Sequence, residues 1–237
     1  MKEPLRPRLA HALRAALAGR RVRVVLALLV AVFDAIMIGL SFLGSWGTIP
    51  IVAPLLAAGL AWRGLRRGAV FVLLSLLGIP LDTTLKLIWA RARPDAGAVQ
   101  VVVAQSGYSF PSGHAVLGTA FYGTLAVLAW VHLVDRPWRW PVTITLAALP
   151  PFIDLSRIYL GAHWLSDVIA GSAVGLALIL PTSRWYASRA RADSLEATSL
   201  EATSRETTAP ETNGARVGDA EGAAPSRPDA APSPPSR

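Results

Sequence analysis

The chain has 237 residues, a formal net charge of +8 and 53% hydrophobic residues, with only 16% charged. The hydrophobic residues fall in long blocks, which is typical of an integral membrane protein and not of a soluble domain. The sequence contains no cysteine, which excludes disulfides, thiolate metal sites and cysteine nucleophiles. The cations lie at the ends of the apolar blocks, as in membrane proteins, so they do not indicate a nucleic-acid partner.

Six apolar blocks predict an all-α fold, a polytopic membrane helix bundle of about six transmembrane helices. The blocks are Val24–Leu43, Ile49–Trp62, Ala69–Ala90, Ala115–Val134, Val142–Leu155 and Val168–Leu180. Several are shorter than the ~20 residues that a membrane-spanning helix needs, so polar flanking residues inside the bundle are expected to complete them. Gly171 and Gly175 form a GxxxG pattern on the last block, which predicts close helix packing.

The composition divides the chain into three segments. Residues 1–23 form a basic N-terminal arm without a convincing signal-peptide cleavage site. Residues 24–186 form the membrane-embedded domain. From residue 187 onward Ala, Thr, Ser, Glu, Pro and Arg dominate, which predicts a disordered tail over 187–237, with a short helix around the LEATS repeat at 195–204 as the alternative.

The arginines predict the orientation of the bundle. They cluster on alternate ends of successive blocks, hence on one face: in the N-terminal arm, at Arg63–Arg67, at Arg136 with Arg139, and at Arg184–Arg191. By the positive-inside rule this face and both termini are cytoplasmic, in a multi-pass protein of a bacterial cell membrane. The loops expected on the extracytoplasmic side are 44–48, 91–112 and 156–165. Asp34 leaves open that the first block lies along the membrane surface without crossing it.

Cations lie at the C-terminal end of the third block, on the expected extracytoplasmic face, where the positive-inside rule predicts few of them. Lys86 and Arg93, with Arg91 as a further candidate, lie in the stretch KLIWARARP. Membrane anchoring by long side chains is one explanation. An anionic ligand explains the exterior position better. Asp82, four residues before Lys86, is placed to pair with it.

The tetrapeptide Pro111–His114, PSGH, has the pattern of a helix start. Ser112 can cap the helix, while the N–H groups of Gly113 and His114 can hold a phosphate oxygen. His114 would then stand beside that oxygen as a proton donor. Taken alone, the tetrapeptide describes an ordinary capped helix equally well.

The stretch Ser156–Asp167, SRIYLGAHWLSD, places His163 four residues before Asp167. On a helix both side chains share one face, where the aspartate can accept the proton of one imidazole nitrogen. The other nitrogen is then free to act as a nucleophile. Arg157 can direct its guanidinium at an anion beside this histidine. A metal site of His114, His163 and Asp167 is the alternative, which the neighbouring cations disfavour because they repel a divalent ion.

The three motifs together resemble the signature motifs of the type 2 phosphatidic acid phosphatase superfamily. They are Lys-x6-Arg-Pro at 86–94, Pro-Ser-Gly-His at 111–114 and Ser-Arg-x5-His-x3-Asp at 156–167, in matching order and spacing. The resemblance covers roughly residues 30–181. It implies a six-span bundle with a core like that of the haloperoxidases. It also implies hydrolysis of a phosphate ester or anhydride without a metal or other cofactor.

The resemblance also implies a role for each matched residue. His163 would be the nucleophile that forms a phosphohistidine, Asp167 would orient it, and His114 would protonate the leaving group. The groups that would hold the phosphoryl oxygens are Lys86, Arg93, Arg157, Ser112 and the Gly113 amide.

We therefore expect an enzyme that dephosphorylates a membrane lipid at the extracytoplasmic face. Undecaprenyl diphosphate, phosphatidylglycerol phosphate and phosphatidate are the candidate classes, and the sequence distinguishes neither among them nor among oligomeric states. A vanadate-dependent haloperoxidase-like enzyme is one alternative, against which the hydropathy argues. A non-catalytic lipid transporter or scaffold is the other, against which the intact nucleophile, acid and cations argue.

Overall fold

The computed structural model describes residues 5–95, 97, 99–103 and 105–208, and these residues form helices without any β-strand. The helices are α1 (Leu5–Leu43), α2 (Ile49–Trp62), α3 (Arg66–Leu74), α4 (Gly78–Trp89), α5 (Gly113–His132), α6 (Arg139–Tyr159) and α7 (Leu165–Thr208). A short 3-10 turn at Ser75–Leu77 joins α3 to α4, so together they make the third predicted block. The predicted all-α fold class is confirmed.

Four helical segments of the described chain are long and apolar enough to cross a membrane. They are Gly19–Leu43, Arg66–Trp89, Gly113–His132 and Leu165–Arg205. Helix α2 is equally apolar but has only 14 residues, about 21 Å at 1.5 Å per residue, which is less than the hydrocarbon thickness of a typical bilayer. The predicted multi-pass helix bundle is confirmed by this set of helices.

Helix α5 lies at the centre of the bundle and α1 at its edge. In the apolar window of α5 61% of the residues are buried, against 11% in α1. Gly171 and Gly175 let α7 approach α5 closely, because a Cβ on Gly171 would lie 2.6 Å from the Ser112 carbonyl oxygen. The close packing predicted from the GxxxG pattern is therefore present. It fixes the start of α5 against the start of α7.

Polar contacts attach α1 to α6 inside the bundle. The Tyr159 hydroxyl donates to Asp34 Oδ1 at 2.7 Å, and the rings of Phe33 and Tyr159 meet edge to face at 4.8 Å between centroids. The carboxylate of Asp34 thus has a structural partner within the bundle.

Helices occupy the described parts of both terminal segments. Helix α1 begins at Leu5, within the predicted arm, and α7 continues to Thr208, past the predicted start of the tail at residue 187. The residues from Pro181 to Pro210 contain no other proline and no glycine, so nothing in this stretch breaks a helix until Pro210 disfavours helical backbone before it. Residues up to Ser194 form one compact unit and those from Leu195 belong to a second. The predicted disorder of 209–237 falls outside the described residues.

Candidate active site

The three predicted clusters meet at one end of the bundle around a cavity of about 560 Å³. Five predicted site residues line it: Lys86, Arg93, Gly113, His114 and His163. The turn between α1 and α2 contributes Ser45–Gly47 to the wall, and the loop before α5 contributes Gln105 and Ser106. The other three predicted residues, Ser112, Arg157 and Asp167, lie buried behind the wall.

Lys86 is fixed at the cavity wall by two hydrogen bonds. Its Nζ donates to Asp82 Oδ1 at 2.5 Å and to the Pro111 carbonyl oxygen at 2.7 Å. The Asp82 side chain is fully buried, one helical turn before Lys86 on α4. The predicted pair is present, and it attaches the ammonium group to the residue that precedes Ser112.

Arg93 contacts the predicted nucleophile directly. Its Nη1 lies 3.1 Å from His163 Nε2 and donates to the Ala162 carbonyl oxygen at 2.8 Å, while its Nε donates to the Gly107 carbonyl oxygen at 3.1 Å. A guanidinium group can only donate, so Nε2 is the acceptor and the ring proton is on Nδ1. The lone pair of Nε2 therefore points at Arg93, which lines the same cavity.

Ser109 lies between His163 and Asp167. Its hydroxyl donates to Asp167 Oδ2 at 2.5 Å, and its oxygen lies 3.4 Å from His163 Nδ1. The distance from Nδ1 to Asp167 Oδ2 is 3.7 Å, longer than a hydrogen bond. The direct Asp167–His163 hydrogen bond expected from the spacing is therefore replaced by a relay through the serine.

His163 and Asp167 do not share a helix face as predicted, because His163 precedes the first turn of α7. The Asp167 carboxylate instead reaches back over the helix start, where its Oδ2 accepts the Trp164 N–H at 3.0 Å. This is the acidic half of a capping box. The helix start thus holds the carboxylate beside the imidazole.

The surroundings of His163 keep its imidazole neutral at pH 7. Burial lowers the pKa of His163 to about 4, and the charges of Arg93 and Arg157 act in the same direction, while Asp167 opposes them. A neutral ring leaves the Nε2 lone pair available for attack on an electrophile.

The start of α5 is built for close approach of the backbone. A Cβ on Gly113 would lie 2.7 Å from both Asp82 Oδ2 and Trp46 Nε1, so only glycine fits. Ser112 occupies the N-cap position, but its hydroxyl makes no capping hydrogen bond, so that prediction is wrong. The Ser112 N–H instead donates to the Asp167 carbonyl oxygen at 2.9 Å, and its Oγ is buried without a partner among the described residues.

Arg157 is 1% exposed and does not line the cavity. Its Nη1 donates to Ser41 Oγ on α1 at 2.5 Å. Its Nε and Nη2 have no hydrogen-bond partner in the described part of the chain. The guanidinium therefore keeps the N–H groups of two nitrogens for an acceptor, and its charge acts on the pKa of His163.

The sequence reasoning missed Ser109 and Ser41 and misplaced Arg91. Arg91 pairs with the buried Asp167 Oδ1 at 2.8 Å and with Ser166 Oγ at 2.7 Å, so it supports the carboxylate and does not line the cavity. Ser109 directly precedes the Phe-Pro-Ser-Gly-His stretch, and this position next to a predicted motif was the only sequence feature that could have indicated its role.

The chain forms a multi-pass helical bundle in which cations, two histidines and the N-terminus of α5 surround one cavity. This is the architecture of a membrane phosphatase. The family model of the PAP2 superfamily matches residues 67–191. The chain belongs to this superfamily and is a phosphatase of its membrane-bound branch.

Curated relatives and a solved structure agree with this assignment. Phosphatidylglycerophosphatase B of Bacillus subtilis is 30% identical over 149 residues, covering 60% of this chain and 70% of the relative. Undecaprenyl-diphosphatase of Sulfolobus acidocaldarius is 30% identical over 138 residues, covering 56% and 63%. The crystal structure of a transmembrane PAP2 type phosphatidylglycerolphosphate phosphatase from Bacillus subtilis aligns with a TM-score of 0.56 at 26% identity, covering 65% of this chain and 76% of that chain.

Proposed function

We propose that this protein hydrolyses a lipid phosphate or diphosphate at the extracytoplasmic face through a phosphohistidine on His163, without a metal. The observation that carries the proposal is the asymmetry of the His163 ring. Its Nε2 accepts from Arg93 at 3.1 Å, and its Nδ1 faces the Ser109–Asp167 relay. A neutral imidazole that carries its proton on Nδ1 is suited to attack phosphorus through Nε2 once Arg93 transfers its hydrogen bond to the substrate.

In the first step the Nε2 lone pair forms a bond to phosphorus while the bond from phosphorus to the leaving oxygen breaks. Arg93 moves from Nε2 to a phosphoryl oxygen, which a doubly negative phosphate favours over a neutral imidazole. His114 donates a proton to the leaving oxygen, which departs as an alcohol or, from a diphosphate, as a monophosphate.

In the second step water attacks the phosphorus of the phosphohistidine and the nitrogen–phosphorus bond breaks. His114, now neutral, takes a proton from the water, so inorganic phosphate leaves and Nε2 regains its lone pair. Lys86, Arg93, Arg157, Ser112 and the Gly113 amide would hold the phosphoryl oxygens. Fixed donors of this kind stabilise the transferred group with little reorganisation.

The lipid class is supported by the place of the cavity and by the relatives. The cavity lies at the end of α4 and the start of α5, which end two of the helical segments long enough to cross a membrane, and lipid headgroups are expected at such ends. The names of the two relatives specify phosphatidylglycerophosphate and undecaprenyl diphosphate as substrate classes. A membrane lipid with a terminal phosphate or diphosphate is therefore the proposed substrate, with phosphatidate as the third class.

The decisive experiment is phosphate release by the purified full chain from each lipid class, with a chelator present. We expect turnover of at least one class and an acid-labile, base-stable phosphoryl label on the wild-type protein that His163→Ala lacks. Ser166→Ala, which changes a neighbouring hydroxyl that contacts Arg91, is the matched control and should keep the label. If no lipid class is hydrolysed, the protein is better explained as a non-catalytic lipid transporter or scaffold. Inhibition by the chelator would exclude the metal-free mechanism.

The side of action is tested separately by reporter fusions in cells. Fusions after Arg67 and at residue 190 should report the cytoplasm, and a fusion near Gly97 the exterior, because the arginine clusters share one face of the bundle. A cytoplasmic signal at Gly97 would contradict the proposed face without affecting the chemistry.

A further inference from the structure

A second cavity, of about 550 Å³, lies at the opposite end of the bundle from the active site. The end of α5, the start of α6 and the middle of α7 form its wall. The active-site cavity uses the first two residues of α5, whereas this cavity begins at Val127. Helix α5 has 20 residues and so separates the two ends by about 30 Å.

Three arginines line this second cavity, Arg139, Arg184 and Arg191, and no Asp or Glu is among its described lining residues. The guanidinium of Arg139 lies 3.5 Å above the centroid of the Trp130 ring, which holds it flat. Its Nε is buried without a hydrogen-bond partner in the described part of the chain. Neither Arg139 nor Arg184 forms an ion pair with a described residue, so two cations remain without a counter-charge.

Apart from Ser183, the remaining residues that line the cavity are apolar. Val127, Val131 and Val134 lie along one side, and 56% of Val134 is exposed. Free phosphate gains nothing from contact with an apolar wall, whereas a lipid can bury its glycerol region and first methylene groups against it. Guanidinium groups beside an apolar wall can bind the phosphate of an anionic lipid by paired hydrogen bonds while the wall contacts the rest of the lipid.

Ordinary membrane anchoring does not account for Arg139, whereas Arg184 is exposed at the edge of the cavity. Arg136, at the same end, is exposed and 5.8 Å from the Trp138 ring, as expected for a cation that extends toward the headgroups. Arg139 instead lies half-buried in a cavity wall. Its position is suited to a ligand that enters the cavity.

We propose that the second cavity binds the phosphate of an anionic phospholipid through Arg139 and Arg184, with its glycerol region against Val127, Val131 and Val134. The site is separate from the phosphatase site and takes its lipid as a bound ligand without hydrolysing it.

The first test compares two double variants by native mass spectrometry of the full chain with phosphatidylglycerol and with phosphatidylcholine. Arg139→Gln with Arg184→Gln should weaken phosphatidylglycerol binding roughly tenfold or more, because charge-assisted contacts to the phosphate are lost. Arg136→Gln with Arg189→Gln removes the same charge outside the cavity and should change binding little. Equal weakening in both variants would reduce the effect to general surface charge and overturn the site.

The second test needs no variant and therefore does not depend on correct folding of one. Wild-type protein in vesicles is irradiated with a photoactivatable phosphatidylglycerol, and cross-links should map to the segments 127–139 and 183–191. The absence of cross-links from these two segments would overturn the proposal. Millimolar inorganic phosphate should leave the cross-links intact, and their loss would reassign the cavity to free phosphate. Release of phosphate from a soluble aryl phosphate, unchanged in the Arg139/Arg184 variant, separates this site from the catalytic one.

Discussion

The two nitrogens of His163 have different partners, which is the basis for the proposed division of work between the two site histidines. Arg93 contacts Nε2, and the Ser109–Asp167 relay faces Nδ1. His114 lies on the same cavity wall but belongs to the start of α5. Attack on phosphorus and protonation of the leaving group can therefore be separated by substitution.

The loss of His163 and the loss of His114 should depend differently on the leaving group. His163→Ala removes the covalent route, so kcat/KM should fall to near background with a lipid phosphate and with an aryl phosphate alike. His114→Ala should lose much less on the aryl phosphate, because an acidic leaving group departs with little protonation. General acid catalysis typically contributes about 10²–10⁴-fold, so the rescue is measurable by steady-state kinetics. Rescue of His163→Ala in place of His114→Ala would reverse the assignment.

Ser109 should act as a positioning residue for the ring of His163. Ser109→Ala breaks the relay from Nδ1 to Asp167, so kcat should fall on the order of tenfold while KM changes little, since no contact to the substrate phosphate is lost. Ser109→Thr retains the hydroxyl and should recover most of the rate. Ser166→Ala is the control, because among the described residues the Ser166 hydroxyl is hydrogen-bonded only to Arg91. A rise in KM with unchanged kcat would place Ser109 in substrate binding instead.

The sequence located the residues that project into the cavity and the carboxylates of Asp82 and Asp167, but not the serines that contact His163 and Arg157. Lys86, Gly113 and His163 come from motifs whose residue types are dictated by the chemistry of a phosphoryl group. Ser109 meets His163 across 54 positions of the chain, and Ser41 meets Arg157 across 116. Such contacts depend on the packing of helices and loops, which neither periodicity nor spacing specifies.

At the scale of the helices, hydropathy predicted the spans better than it predicted the ends of the chain. The second and fourth predicted apolar blocks agree with the bounds of α2 and α5 to within two residues. The tail was predicted from its low hydrophobicity as disordered, with a short helix around the LEATS repeat as the alternative, and residues 187–208 are helical. The stretch lacks helix breakers and is rich in Ala, Glu, Leu and Arg, which favour a helix even without a core to pack against.

The packing of α7 on α5 should control the active site through Gly171. In Gly171→Ala the new Cβ would stand 2.6 Å from the Ser112 carbonyl oxygen and 2.8 Å from Ala115 Cβ. Helix α7 must then move away from the start of α5, which should destabilise the protein by about 1–3 kcal/mol. Activity should fall as well, since Asp167 and Gly113 are carried by the two displaced ends.

Gly59→Ala is the matched control for this substitution. Gly59 lies inside α2, and a Cβ there would meet no atom within 4 Å. Alanine should be neutral or stabilise by up to about 1 kcal/mol through its higher helix propensity. The measurements are the melting temperature in detergent and the rate of phosphate release. Equal behaviour of the two variants would show that the α5–α7 contact does not set the geometry of the site.

At the scale of the whole molecule, the two ends of the bundle carry cations for different purposes. At one end Lys86, Arg93 and Arg157 surround a reactive imidazole within reach of buried carboxylates. At the other end arginines line a second cavity whose described lining residues include no acid. The net charge of +8 therefore combines the orientation signal of a membrane protein with two separate requirements for anion binding.

Truncation should distinguish the parts of α7 that support the enzyme from those that do not. A chain ended after Ser194 keeps the whole first unit, including the ion pair between Arg67 and Asp193. Its specific activity and melting temperature should equal those of the full chain. A chain ended after Arg189 also loses Asp193, and its melting temperature should fall slightly, because the pair is half-exposed and contributes at most about 1 kcal/mol.

Both truncated proteins should retain the activity on a soluble aryl phosphate, because they keep every described residue that lines the catalytic cavity. Arg67→Gln in the full chain is the control for the Arg189 truncation and should reproduce its small loss of thermal stability. A large loss of activity after truncation at Ser194, in protein that inserts and purifies normally, would show that the segment beyond it takes part in catalysis. An unchanged melting temperature in the Arg67→Gln protein would instead assign the stability loss to the removed helix and not to the ion pair.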